Sequence, residues 1–316
     1  MEVITTDTLD DEDRDAIRAL CAASFAADRH APLSDDHRLA LDHDGNPGFA
    51  AFFARDRRRL VGYAQLVDEA HTRDLALVVH PMRRGNDVAA RLTRAALDRV
   101  AFDGGATVQL LVPCVDATDD AVLAGLGFSP ARDLVQLRCP LPLEETPAWP
   151  AGTLLRAFEP GRDDDAWLAL NNAAFADHPE QGGWDRDRLA ARLDESWFDP
   201  AGFLLAVRDG TIAGFCWTKL HRAERLGEIY VIAVDPAQQG HGLGRALAVA
   251  GLASIAERGI PTGMLYVDAD NAGAVALYRG LGFAEDHRDR WYVTTVEARE
   301  PEPGEEPGEN GPAPPA

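Results

Sequence analysis

"VDPAQQGHGLGRAL" spans Val234–Leu247, with glycines alternating at 240, 242 and 244. An apolar run precedes it and a helical pattern follows, so it reads as a glycine-rich turn between a strand and a helix. A helix N-terminus leaves backbone N–H groups unpaired and carries partial positive charge, which attracts phosphate. Glycines let the backbone come close to such a ligand and adopt positive φ. Two common phosphate turns do not fit. The dinucleotide fingerprint G-x-G-x-x-G fails, because its sixth position is Arg245 counted from Gly240 and Leu247 counted from Gly242. A Walker A loop fails because no lysine follows the glycines. What remains is Gln239-x-x-Gly242-x-Gly244, or a turn that holds no ligand.

A poorer version of the stretch, "VHPMRRGNDVAARL", lies at Val79–Leu92. The two belong to a longer repeat. "GLGF" recurs at 125–128 and 280–283, at the same interval after Pro81 as after Pro236. Upstream, "LVGYAQL" (60–66) echoes "IAGFCWT" (212–218), and "AIRALCAASF" (16–25) echoes "AWLALNNAAF" (166–175). Four landmarks in one order predict two copies of one unit. The Pro-rich "CPLPLEETPAWPAGT" (Cys139–Thr153) divides them, giving domains at 1–140 and 153–298. Residues 299–316, rich in Pro, Gly and Glu, are expected to be disordered. The second copy predicts helices near Asp164–Phe175 and Asp185–Glu195, strands over "GFLLAVRDG" and "TIAGFCWTKL" joined at Asp209-Gly210, and a strand "GEIYVIAVDP" before the loop. A helix then runs to about Arg258, followed by the strand "GMLYVDAD", the helix "NAGAVALYRGLG" and the strand "RWYVTTVEA". The class is α/β.

Composition narrows the functions. A chain of 316 residues suits two domains, and 46% apolar residues supply two cores. A formal net charge of −21 argues against nucleic acid and against an anionic membrane surface. The N-terminus lacks a signal-peptide pattern, and no apolar run approaches the roughly 18 residues of a membrane span. Cys21, Cys114, Cys139 and Cys216 show no CxxC spacing, so neither a zinc site nor a disulfide framework is expected, and the cytosol fits. Lys219 is the only lysine beside many arginines, as though a compact ammonium were required there, though chance survival gives the same count.

Gln239-x-x-Gly242-x-Gly244 between strand and helix resembles the acyl-CoA loop of the GNAT acyltransferases. Asn271, Ala274, Leu277, Tyr278 and the second "GLGF" match that superfamily's pattern too. The segments "NNAAFADHPEQGGW" (171–184), "FCWTKLH", "GEIYVIAVDP" and "LYVDADNAGAVALYRGLGF" together resemble the mycothiol synthase family of tandem GNAT enzymes, over nearly the whole chain to about Tyr292. The resemblance implies two tandem GNAT domains, each a mixed, mostly antiparallel sheet flanked by helices. It implies acetyl-CoA as co-substrate, no metal, and acetylation of the cysteinyl amine of Cys-GlcN-Ins, a small thiol precursor, by a monomer.

Residue roles follow from the same resemblance. The pyrophosphate sits on the amides of Gln239, Gly240, His241, Gly242, Leu243, Gly244 and Arg245, with Asn271 and Ala274 beside the coenzyme. The pantetheine arm pairs with the backbone of Ile232, Ala233 and Val234, and the Val234 amide stabilises the oxyanion. Glu228 takes the amine proton and Tyr278 protonates the leaving thiolate. Asp35, Glu180, Lys219, Glu228 and Tyr266 contact the acceptor. From the residues alone, Glu228 is equally a solvated strand-end carboxylate, Tyr278 a core aromatic, and Asp35 a helix cap. The repeat offset sets Arg73 at the base position, Leu123 at the acid position and Asp87 at Gly242, so the first copy is expected to be a scaffold. A GNAT enzyme for another small amine or a protein N-terminus, and a non-catalytic acyl-CoA sensor, are the alternatives.

Overall fold

The computed structural model describes residues 3–42, 48–57, 59–69, 72–176, 178 and 181–299. The chain forms two compact units, one made of residues up to Ala131 together with those from Arg290 onward, the other of Arg132–Asp289. In chain order the first part runs β1 (Val3–Thr6), α1 (Asp11–Asp28), α2 (Asp35–Asp42), β2 (Ala50–Asp56), β3 (Arg59–Glu69), β4 (Thr72–Val79), α3 (Val88–Phe102), β5 (Ala106–Val112), α4 (Ala117–Ala124) and β6 (Ser129–Pro140). The rest runs β7 (Leu154–Ala157), α5 (Asp164–Ala174), α6 (Arg186–Leu193), β8 (Phe203–Arg208), β9 (Thr211–His221), β10 (Leu226–Val234), α7 (Leu243–Glu257), β11 (Thr262–Asp268), α8 (Ala272–Arg279) and β12 (Ala284–Val296).

Each unit has one sheet of the same design. The first follows the order β1-β2-β3-β4-β5-β12, the second β7-β8-β9-β10-β11-β6. Neighbours are antiparallel except for one parallel pair per sheet, β4 with β5 and β10 with β11. The mixed, mostly antiparallel sheet expected from the sequence is therefore present twice.

The division differs from the limits 1–140 and 153–298 read from the repeat. From Leu134 to Pro140, β6 pairs with β11 of the second unit, and from Arg290 to Val296, β12 pairs with β5 of the first. Each copy thus lends its last strand to the other unit. A repeat in sequence cannot show this, because β6 and β12 are interchangeable as antiparallel edge partners. Packing decides the outcome: Val135, Leu137 and Cys139 of β6 join the core of Leu265 and Val267, whereas Tyr292 joins the core of Val108 and Leu110. Residues 300–316, the tail expected to be disordered, lie outside the described residues.

In the second unit the sheet is covered on both faces. Leu247, Leu252 and Ile255 of α7 pack on one face. Gly227 on β10 makes room for this helix, since a Cβ there would lie 2.1 Å from Ile255 Cγ2. Trp167 and Leu170 of α5 and Leu189 of α6 cover the other face with Phe203, Phe215 and Trp217. Among the described residues no helix is long and apolar enough to cross a membrane.

Candidate functional site

The glycine loop begins with a short 3-10 turn, Pro236–Gln238, and ends at the N-cap of α7. Gly240 and Gly242 have φ of 80° and 82°, the left-handed region that favours glycine, and a Cβ at either would meet nothing within 4 Å. Gly244 already lies in the first helical turn. Among the described residues no side chain caps α7, which leaves its first-turn amides facing outward as anion donors would. The Arg245 guanidinium is engaged elsewhere, donating to Glu145 at 2.7 and 2.6 Å and to the Gly280 carbonyl at 3.1 Å, which leaves its amide as the anion donor. His241 is exposed, with Nδ1 3.4 Å from the Gln238 carbonyl. Asn271 caps α8 by accepting from the Ala274 amide at 3.1 Å, so two predicted coenzyme residues are bonded to each other.

β10 diverges from β11 just before this loop. Their parallel ladder covers Leu226, Gly227 and Glu228 and ends there, while the antiparallel ladder to β9 continues to Val234 with a bulge between Ile229 and Val231. The Asp235 amide donates to Ala213 at 2.9 Å. Ladder alternation therefore turns the backbone groups of Ala233 toward β9, and those of Ile232 and Val234 toward the edge that β11 has left. An extended chain can pair along that edge, with the Val234 amide near its end.

Glu228 stands where the two strands part, and its side chain is 12% exposed. It faces Lys219 directly across β9 and lies level with Met264 of β11. Strand alternation puts Lys219, His221, Glu228 and Tyr266 on one sheet face, opposite α7. The Lys219 ammonium lies 4.6 Å from the Trp197 ring centroid and 5.3 Å from that of Tyr230, so cation–π attraction holds it. The Tyr266 hydroxyl accepts from Gln136 Nε2 at 2.6 Å. Tyr278 of α8 is buried, its ring 5.6 Å from Phe283, and burial pushes its hydroxyl pKa up. It keeps its proton at neutral pH, as an acid must. The core reading and the acid reading of Tyr278 are compatible.

An open amide cradle, an unpaired strand edge and a carboxylate at the fork suit acyl transfer from a thioester that carries a pyrophosphate. A family model, "Acetyltransferase (GNAT) family", matches residues 167–283. The mycothiol acetyltransferase of Thermobispora bispora is 45% identical over 294 residues, which is 91% of this chain and 96% of that protein. That of Streptomyces griseus subsp. griseus is 43% identical, over 93% of this chain and 95% of its own. The chain belongs to the mycothiol acetyltransferase family. It is an acetyltransferase with acetyl-CoA as acyl donor. A tandem GNAT protein from the clavulanic acid biosynthesis pathway shares the fold at a TM-score of 0.73, with 21% identity over 95% of this chain and 99% of its own.

The block 171–184 that carried the family resemblance is pinned by its own asparagines. Asn171 Nδ2 donates to the Gln181 carbonyl at 2.7 Å, and the Asn172 amide exchanges bonds with the Trp184 backbone at 2.8 and 2.9 Å. A Cβ on Gly182 would strike the Phe175 carbonyl at 2.4 Å, so the close turn requires glycine. His178 Nδ1 accepts from the Gln181 amide at 3.2 Å, and its Nε2 lies 3.6 Å from Asp268. Together with Phe175, Asp268 and Asn271 it lines a cleft of about 470 Å³. Glu180 lies outside the described residues. Asp35 opens α2 in the first unit, 3.5 Å from Arg38.

The sequence reading passed over one partner of this site. His221, the last residue of β9, places Nε2 2.7 Å from Glu228 Oε2. The signal was present, because His221 is two residues beyond Lys219 and so shares its face.

The equivalent positions of the first unit are closed. Arg73 is buried and engages Asp68 at 3.0 Å, Asp103 at 2.6 Å and the Gly48 carbonyl at 2.7 Å. Leu123 is core. Arg84, at the place of Gln239, is tied to Asp28 and, at 3.0 Å, to Ser24. Ionic hydrogen bonding raises the Arg84 pKa and lowers that of Asp28.

Proposed function

We propose that the second unit transfers the acetyl group of acetyl-CoA to the cysteinyl amine of Cys-GlcN-Ins, giving mycothiol, and that the protein does so as a monomer in the cytoplasm. The observation that carries this reading is Glu228 at the fork of β10 and β11, beside an edge on which the Val234 and Ile232 amides face outward. Glu228 accepts a proton from the acceptor's ammonium and so frees the nitrogen lone pair for attack on the thioester carbonyl. A positioned base of this kind contributes about 10²–10⁴ in rate. The Val234 N–H donates to the oxygen that gains charge. Tyr278 gives its proton to the departing thiolate. The first-turn amides of α7 hold the pyrophosphate, and Lys219, Tyr266, Glu180 and Asp35 bind the acceptor's hydroxyl and amine groups. The first unit serves as scaffold. Among the described residues Cys21, Cys139 and Cys216 form no disulfide, which suits a reducing compartment.

The test incubates the protein with acetyl-CoA and a panel of amines (Cys-GlcN-Ins, a polyamine, an aminoglycoside and a peptide N-terminus) and weighs the products. Acetylation of Cys-GlcN-Ins with the highest kcat/KM is expected. A higher value on any other amine overturns the substrate, and no acetylation at all overturns the activity.

A further inference from the structure

We infer that His221 is a positioning residue for the Glu228 base. Its role rests on the acyl-transfer reading above and adds a group to it. The 2.7 Å bond joins Nε2 of His221 to one carboxylate oxygen, Oε2. With Glu228 ionised, as a base must be, Nε2 carries the hydrogen and donates it. One carboxylate oxygen is then committed to the imidazole, and Oε1 is left for the substrate's ammonium. A glutamate has three side-chain torsions, and the β10–β11 ladder, which ends at Glu228, restrains its backbone and not these torsions. The imidazole supplies that restraint from the neighbouring strand.

Backbone geometry builds the pair. His221 pairs with Leu226 across the β9–β10 hairpin, and Glu228 pairs with Lys219. His221 and Glu228 are therefore diagonal neighbours on one face, within reach of long side chains. The imidazole is 28% exposed on its side chain and the carboxylate 12%, so the bond lies in a partly desolvated place where a charged hydrogen bond is strong. Lys219, level with Glu228, is the nearby cation of that face, but its ammonium is drawn over the Trp197 and Tyr230 rings. Among the described residues, the side-chain hydrogen-bond donor at Glu228 is His221.

The experiment compares His221→Phe, which keeps a ring and loses the donor, with His221→Gln, which keeps an N–H. Each is made alone and combined with Glu228→Gln, and acetylation of Cys-GlcN-Ins is measured. His221→Phe is expected to lower kcat roughly tenfold, the scale of one hydrogen bond to a charged group, with the KM for acetyl-CoA unchanged. His221→Gln should recover most of the loss. In the Glu228→Gln background His221→Phe should have no further effect, because His221 acts only through the carboxylate. A wild-type kcat in His221→Phe overturns the inference, as does an undiminished loss in the double variant. If the wild-type protein itself acetylates no amine, the acyl-transfer reading has failed instead.

Discussion

The two glycine loops have nearly the same backbone and different side chains. Gly85 and Asp87 of the first have φ of 75° and 63°, Gly240 and Gly242 of the second 80° and 82°. Each follows a 3-10 turn and opens a helix whose N-cap, among the described residues, makes no side-chain capping hydrogen bond. The backbone frame of the loop is therefore common to both units. At the positions proposed for the capping glycine, the base and the acid, the first unit carries Asp87, the buried Arg73 and Leu123. Fold lives in the backbone path and the core; function lives in a few side chains grafted on it.

The largest expected effect comes from making the second loop resemble the first. Gly242→Asp introduces a carboxylate beside a pyrophosphate. Two like charges about 4 Å apart at an effective dielectric near 20 repel by roughly 4 kcal/mol, up to about a thousandfold in affinity. Asp87 already holds this conformation, and a Cβ at Gly242 meets nothing, so the variant should fold. Calorimetric titration with acetyl-CoA checks it; wild-type affinity would show that the coenzyme does not use this loop.

Glu228→Gln should follow, lowering kcat by about 10²-fold or more while acetyl-CoA binding stays intact. It tests whether the carboxylate facing Lys219, rather than the arginine of the first unit, distinguishes the working copy. Turnover unchanged from pH 6 to 9 would remove Glu228 from the base role. A smaller effect is expected of Lys219→Arg. A planar guanidinium stacks readily on Trp197 and Tyr230, so the fold should tolerate it, but it cannot replace a compact ammonium among hydroxyls. The acceptor's KM should rise about tenfold, one charged hydrogen bond's worth. Saturation curves in the acceptor measure it, and an unchanged KM would make the lone lysine incidental.

What was legible in the sequence was local. Alternation and turn chemistry located the β8–β9 hairpin at Asp209-Gly210, where φ of 50° and 80° fits the two positive-φ residues of a tight hairpin. The glycine loop was legible for the same reason, since positive φ leaves a mark in residue type. The exchange of β6 and β12 was not. Ladder partners are chosen by tertiary packing, and both strands carry the apolar residues either sheet needs. The His221 bond crosses between strands and has no motif. The side chain of Arg245 gave no sign that Glu145, a hundred residues earlier, would claim it.

The smallest expected effect is the reverse exchange. Asp87→Gly gives the first loop the glycine that the second has, so if that residue alone silenced the first unit, activity should appear there. None is expected. Arg73 at the base position is held by Asp68 and Asp103, and Leu123 at the acid position has no proton to give. Arg84, at the position of Gln239, closes on Asp28. Stability should barely move. Glycine relieves left-handed strain of about 1 kcal/mol at most for an aspartate, but adds unfolded-chain entropy and loses the 3.5 Å Asp87–Arg91 pair, worth about 0.3–0.5 kcal/mol. In the Glu228→Gln background, where the second unit is crippled, an assay sees any activity from the first. Turnover restored there by Asp87→Gly would overturn the proposal that the first unit is a scaffold, and would leave one residue to account for its silence.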